Sequence, residues 1–149
     1  MLKSKVRLEA NFCRLVREDM DSVIRLLIEN LSPYEPSEDE YDQIWQRFSS
    51  QSNVESLVVK NLNGLVIGFG AITFDIHIRG GVIGHIEDIV VTKSYRRFGL
   101  GSMILHQLES VARMRGCFRI SLECSPENQG FYNANSYLRS GVAMRKVID

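Results

Sequence analysis

Apolar residues recur at helical spacing through the first third of the chain and at strand spacing through its middle. Phe12–Val16 reads as a short first strand. After Arg17-Glu18-Asp19-Met20-Asp21, the positions Val23, Ile24, Leu27, Ile28 and Leu31 make one apolar stripe, which predicts a helix capped by Asp19 or Asp21. Pro33 and Pro36 must interrupt it, because proline and its predecessor disfavour helical geometry. Ser37 with Glu40 then forms a capping box, opening a second helix that buries Tyr41, Ile44, Trp45 and Phe48. The linker between the two helices is a candidate substrate loop.

From Glu55 the period becomes two. Leu57–Val59, a turn at Asn61-Leu62-Asn63-Gly64 and a returning strand over Leu65–Phe74 predict a hairpin. Gly80-Gly81 turns the chain into a β-branched strand over Val82–Val91, interrupted by Glu87 and Asp88. Perfect alternation places those two carboxylates on opposite faces, so both can line one site only if the strand bulges there. Gly99–Arg115 is the most regular helix, with Leu100, Ile104, Leu108, Val111 and Ala112 on one face and Gly116 as its cap. A strand over Phe118–Cys124, a short helix over Asn128–Asn135 and a last strand over Leu138–Val147 complete the reading. This order predicts an α/β fold with a central mixed, mostly antiparallel twisted sheet and helices on both faces. The crossover through the long helix makes Val82–Val91 and Phe118–Cys124 parallel, and a site is expected at their carboxyl ends.

Composition narrows the function classes. At 149 residues, with 44% hydrophobic and 24% charged positions, residues 1–149 read as one ordered domain. Lys plus Arg and Asp plus Glu balance at 18 each, so no general attraction to nucleic acid is expected. The longest uncharged apolar stretch, Leu65–Phe74, falls far short of the roughly 20 residues a membrane helix requires, so no membrane span is expected either. Cys13, Cys117 and Cys124 lack CxxC spacing and suit reduced core thiols, so neither a disulfide frame nor a metal is expected. Charges stand where a secretory signal needs its apolar core, which makes the cytoplasm the expected compartment, with organelle import left open.

The chemistry concentrates in Thr92-Lys93-Ser94-Tyr95-Arg96-Arg97-Phe98-Gly99-Leu100-Gly101-Ser102. A strand, a loop and a helix start in that order offer unpaired amides and the positive end of a dipole to an anion. Nucleotide fingerprints fail, because Ile104 stands at the third glycine position and no Gly-Lys-Ser/Thr follows. Taken alone, the loop reads slightly better as an ordinary glycine turn with solvated arginines. Arg96-x-x-Gly99-x-Gly101 after Asp88-Ile89-Val90-Val91, however, resembles the acetyl-CoA pyrophosphate loop of the GCN5-related N-acetyltransferases, the GNAT superfamily. Gly84-His85-Ile86-Glu87-Asp88-Ile89-Val90-Val91, Ile120-Ser121-Leu122-Glu123-Cys124 and Glu127-Asn128-Gln129-Gly130-Phe131-Tyr132 extend the likeness. Within that superfamily these segments resemble the glucosamine 6-phosphate N-acetyltransferases, over roughly Gly84 to Met144.

The resemblance implies the GNAT fold and direct acetyl transfer, in a ternary complex, from acetyl-CoA to the 2-amino group of glucosamine 6-phosphate, feeding UDP-N-acetylglucosamine synthesis. By it, Arg96, Arg97, Phe98, Gly99, Leu100, Gly101 and Ser102 form the pyrophosphate loop, with the amides from Arg97 to Ser102 holding the anion. Ile89, Val90 and Val91 pair with the pantetheine arm, and Asn128 and Phe131 flank it. Tyr132 lies near the thioester sulfur, where its phenol protonates or hydrogen-bonds the departing thiolate, a general-acid or electrostatic role. A backbone amide near Ile89 or Val90 supports the developing oxyanion. Ser32, Glu87, Asp88 and Ile89 contact the sugar, while Glu123 accepts the amine proton, directly or through water. Arg145 or Lys146 binds the sugar phosphate across a homodimer interface. Ser136 occupies a place where the superfamily commonly has glycine; Asn135 can adopt the left-handed conformation, so little loss is expected there. His85 and Cys124 lack an orienting partner for a thiol-nucleophile reading. An acetyltransferase acting on another amine, or a non-catalytic acyl-CoA-binding module, stays open as an alternative.

Overall fold

The computed structural model describes residues 9–31 and 34–149. Strand β1 spans Ala10–Arg14, two residues earlier than the sequence pattern places it. It pairs antiparallel with β2, Val54–Asn61, from Ala10 opposite Asn61 to Arg14 opposite Leu57. The chain leaves the strand early because the Asp19 carboxylate accepts a hydrogen bond from the Val16 amide at 3.2 Å, closing a 3-10 turn over Arg17–Asp19. Asp19 is therefore drawn away from capping the following helix α1, Met20–Asn30. Its other oxygen meets Lys60 Nζ at 2.7 Å, and that contact, despite the cost of burying the ammonium, holds the lysine pKa above its ordinary value.

Ser37 and Glu40 meet as expected, with the Ser37 amide donating to Glu40 Oε2 at 2.8 Å. A 3-10 turn over Glu38–Glu40 precedes α2, Tyr41–Ser49, which buries Tyr41 and packs Ile44, Trp45 and Phe48 inward. The predicted turn closes β2 onto β3, Val66–Ile76: Asn61 Oδ1 accepts from the amides of Asn63 and Leu65, both at 3.0 Å. Strand β4, Val82–Val91, matches its expected limits. Helix α3, Leu100–Met114, crosses over to β5, Cys117–Leu122, and α4 spans Gln129–Ala134 after a 3-10 turn over Pro126–Asn128.

The five strands lie in sequence order, antiparallel except for the parallel pair β4 and β5. Successive residues such as Val58 and Val59 enter different cores, one beneath α1 and α2 and the other beneath α3. Each core hides one apolar face of the sheet, the layering that the alternation of helical and strand periods implies. No helix among the described residues is long and apolar enough to cross a membrane.

Two readings need correction. Leu138–Val147 forms no strand. A strand needs a neighbour to pair with, and this segment bonds to no strand of its own sheet. At the turn after α4 it is Ser136, at φ 70°, that takes the left-handed conformation, while Asn135 stays at φ −100°. The Asn135 side chain is already committed, donating to Ser102 Oγ at 3.1 Å and to the Phe131 carbonyl at 2.9 Å. The next residue absorbs the reversal, at a cost of about 1 kcal/mol for a side chain in that region.

Candidate active site

The site is built on a defect in β4. Phe69 pairs with Val90 and Ala71 with Glu87, so Gly70 alone faces both Asp88 and Ile89. The extra residue is accommodated by Asp88 at φ 48°. This bulge breaks alternation where the sequence required it, and Glu87 and Asp88 line one cavity of about 320 Å³ with Leu27, Ile44 and Phe48 of the helical layer. A neighbouring cavity of about 240 Å³ joins Asp88 to Leu31, Tyr34 and Pro36 of the linker between α1 and α2. Burial pushes both carboxyl groups above their ordinary pKa; at Glu87 the nearby Asp88 and Glu123 add to the rise and His85 opposes it. His85 Nε2 lies 3.4 Å from Glu87 Oε1.

The second feature is a parting of β4 from β5. Their pairing ends at Ile86 opposite Leu122, yet β4 continues to Val91, which leaves the β5-facing edge of Ile89, Val90 and Val91 without a ladder partner. An extended ligand segment could add there as a strand. Glu123 follows directly on β5 and is exposed, with Arg145 Nη2 3.7 Å from its Oε2. Arg145 and Lys146 themselves project into solvent.

Beyond Val91 the chain makes a 3-10 turn over Lys93–Tyr95 and then reverses twice, at Arg97 with φ 71° and at Gly99 with φ 77°. Gly99 suits that geometry without a side-chain clash, whereas Arg97 is a strained exception. The first α3 bond runs from the Met103 amide to the Gly99 carbonyl, so the amides of Leu100, Gly101 and Ser102 stand outside the helix ladder. They lie at the positive end of the 15-residue helix, a cradle of free donors of the kind an anion can accept from. Phe98 projects beside it, half exposed.

Helix α4 closes the cradle from the side. The Phe131 ring lies against Gly101, where a Cβ would come within 3.3 Å of it. Phe131 meets the edge of Tyr132 at a centroid distance of 4.9 Å, and Tyr132 meets Tyr137 at 5.9 Å. Burial raises the Tyr132 phenol above its ordinary pKa, with a smaller contribution from nearby Cys124. The series ends where the Tyr137 hydroxyl donates to Glu109 Oε1 at 3.1 Å on α3, and Tyr137 too is raised, by burial first and then by that carboxylate. Asn128 is exposed at the start of α4.

The structure brings Glu87 and Asp88 into one cavity, with Glu123 near enough to act on the Glu87 charge, and it sets α4 with Phe131 and Tyr132 beside the start of α3. Ser32 lies outside the described residues. Arg96 lies exposed along the chain's own surface, with Nε donating to the Val91 carbonyl at 3.1 Å and Nη2 donating to Asn30 Oδ1. Sequence reasoning missed that partner, along with the Asn61–Tyr95 contact at 3.1 Å and the Tyr137–Glu109 bond, because each joins segments far apart in the chain. Among the described residues no cluster of potential ligands has metal-binding geometry.

Comparison with known proteins agrees with this architecture. The acetyltransferase (GNAT) family model matches residues 20–135. The glucosamine 6-phosphate N-acetyltransferase of Candida albicans is 35% identical over 114 residues, covering 74% of this chain and 76% of the relative. Glucosamine 6-phosphate N-acetyltransferase 1 of Dictyostelium discoideum is 30% identical over 131 residues, covering 85% and 83%. The crystal structure of glucosamine-6-phosphate N-acetyltransferase from Arabidopsis thaliana superposes with a TM-score of 0.84 at 24% identity, covering 95% of this chain and 99% of that one. With its bulged β4, its parted β4–β5 pair and its amide cradle, this chain belongs to the GNAT acetyltransferase family, on the branch of the glucosamine 6-phosphate N-acetyltransferases.

Proposed function

We propose that the chain, working as a single domain, transfers the acetyl group of acetyl-CoA to the 2-amino group of glucosamine 6-phosphate, giving N-acetylglucosamine 6-phosphate for UDP-N-acetylglucosamine synthesis. The observation that carries this reading is the β4 bulge, which turns two carboxylates into one cavity beside the free strand edge. Acetyl-CoA supplies an activated thioester. The amides from Arg97 to Ser102 hold its pyrophosphate, the edge from Ile89 to Val91 takes the pantetheine arm, and Asn128 and Phe131 flank it.

An amine attacks only when neutral, so the acceptor ammonium must first lose a proton. Glu87 and Asp88, both raised by burial, hold a proton better than ordinary carboxylates and are the nearest bases in the acceptor cavity. Glu123 extends this acidic set and takes the proton directly or through water, while Glu87 and Asp88 also orient the sugar. At the other end of the reaction Tyr132 holds a proton, because burial keeps its phenol neutral through the working pH range. It can protonate the departing sulfur while a Val90 or Ile89 amide steadies charge on the carbonyl oxygen.

The working unit is a homodimer. Leu138, Val142, Met144, Val147 and Ile148 are 79–92% exposed, and Phe118 on the open edge strand β5 is 64% exposed. An apolar tail and an unpaired edge on one chain call for a second copy to cover them. Pairing of the tails would bring Arg145 or Lys146 of one protomer toward the cleft of the other, where a sugar phosphate needs cations. Sedimentation equilibrium at micromolar concentration is expected to give a dimer; a monomer would remove the cross-subunit role of those two residues.

The decisive assay compares thiol release from acetyl-CoA with glucosamine 6-phosphate, glucosamine and no acceptor. The phosphorylated sugar is expected to react with a kcat/KM roughly 10- to 100-fold above that of glucosamine, the worth of one or two charge-assisted hydrogen bonds. Equal rates would sink the specificity for phosphate. Turnover only with other amines would make this a GNAT enzyme of different acceptor, and acetyl-CoA binding without any turnover would mark a binding module.

A further inference from the structure

We infer that Asn30 is a positioning residue for acetyl-CoA binding, acting through Arg96. The inference rests on the reading of Arg97–Ser102 as the pyrophosphate loop. Asn30 is the last residue of α1, and its Nδ2 donates to the Leu26 carbonyl one turn back at 2.7 Å. Its Oδ1 accepts from Arg96 Nη2, and Arg96 Nε donates to the Val91 carbonyl at 3.1 Å.

The chemistry of these groups leaves one orientation for the amide. A backbone carbonyl only accepts and a guanidinium only donates, so Asn30 must present nitrogen to Leu26 and oxygen to Arg96. The result is an unbroken line of donors and acceptors from the end of α1, through two side chains, to the last residue of β4. Arg96 immediately precedes Arg97, the strained residue that begins the reversal into the anion cradle. Fixing the Arg96 guanidinium at both Val91 and Asn30 therefore fixes the entry angle of the loop. From the opposite side, the Asn61 side chain bonds the Tyr95 hydroxyl, so the turn before the cradle is held at two points.

Asn30 also adjoins Leu31, which lines the cavity containing Asp88. Neither Asn30 nor its amide needs to touch a ligand. Its contribution is the reduced freedom of a loop that would otherwise have to be ordered when the anion binds.

The test measures acetyl-CoA affinity by titration calorimetry on the full chain without acceptor, and then KM and kcat in the thiol-release assay. Asn30→Ala is expected to raise the Kd and KM for acetyl-CoA about fivefold with kcat nearly unchanged, as when one hydrogen bond to an exposed charge is lost. Asn30→Asp gives up the donor to Leu26 but keeps an oxygen, now charged, facing Arg96, and should recover part of the affinity lost in the alanine variant. In an Arg96→Ala background, Asn30→Ala should change affinity no further. Wild-type affinity in Asn30→Ala, equal losses in the alanine and aspartate variants, or additive losses in the double variant would each overturn the inference while leaving the loop assignment standing. If the wild type itself binds no acetyl-CoA, the loop assignment falls and this inference with it.

Discussion

Gly101→Asp is expected to raise the dissociation constant for acetyl-CoA by about 100-fold while the protein stays folded. Gly101 is the second residue of α3, and its amide lies outside the helix ladder, in the cradle assigned to the pyrophosphate. A carboxylate there sets like charge against the ligand, and such juxtapositions cost several kcal/mol when poorly solvated, or about 3 kcal/mol for this partly open cradle. A new Cβ also meets the Phe131 ring at 3.3 Å, so the ring must give by a few tenths of an ångström.

The same substitution acts in the opposite sense on the helix. An acidic side chain in the first turn favours the dipole by roughly 0.3–1 kcal/mol, and aspartate replaces a flexible glycine inside a helix. Thermal stability is therefore expected to hold or rise while affinity collapses. Gly101→Ala separates the two causes: it keeps the contact with Phe131 but adds no charge, and should weaken binding only a few-fold. Calorimetric titration of both variants reads the difference. Undiminished affinity in Gly101→Asp would mean the pyrophosphate binds elsewhere and the anion cradle is only a helix start.

The bulge shows why this part of the site could be read from sequence. Two adjacent carboxylates inside an apolar run cannot both reach one cavity from a regular strand, so either the strand or the shared role had to give way. Asp88 at φ 48° supplies the local solution. The helix start with its free amides was legible for a similar reason, since the glycines and the place between strand and helix are local in sequence. Where legibility failed, the determinant was remote. Asn135 has the residue type that favours a left-handed turn, but its amide is held by Ser102 and by the Phe131 carbonyl, and Ser136 turns instead. Arg96 finds its partner 66 residues away in Asn30. Leu138–Val147 carries apolar residues that favour burial, yet its own sheet offers the segment no strand to pair with.

The largest effect on turnover itself is expected at Tyr132. Tyr132→Phe should lower kcat about 100-fold or more, the range of positioned general-acid catalysis, and leave acetyl-CoA affinity within about twofold. The two consequences separate because the ring and the hydroxyl have different tasks. The ring is fixed by edge contacts with Phe131 at 4.9 Å and Tyr137 at 5.9 Å, and phenylalanine preserves both. The hydroxyl carries a proton that burial holds on the oxygen, and a departing thiolate without that donor must leave charged or wait for water. Loss of an interaction made only as the sulfur departs lowers kcat and kcat/KM together, without raising KM. Tyr137→Phe is the matched control, since it removes a hydroxyl from the same aromatic series but takes it from Glu109 rather than from the cleft. It should cost about 1 kcal/mol of stability and little turnover. If the two variants lose activity equally, the aromatic series supports the cleft only by packing; if Tyr132→Phe turns over like the wild type, the leaving group takes its proton from another donor.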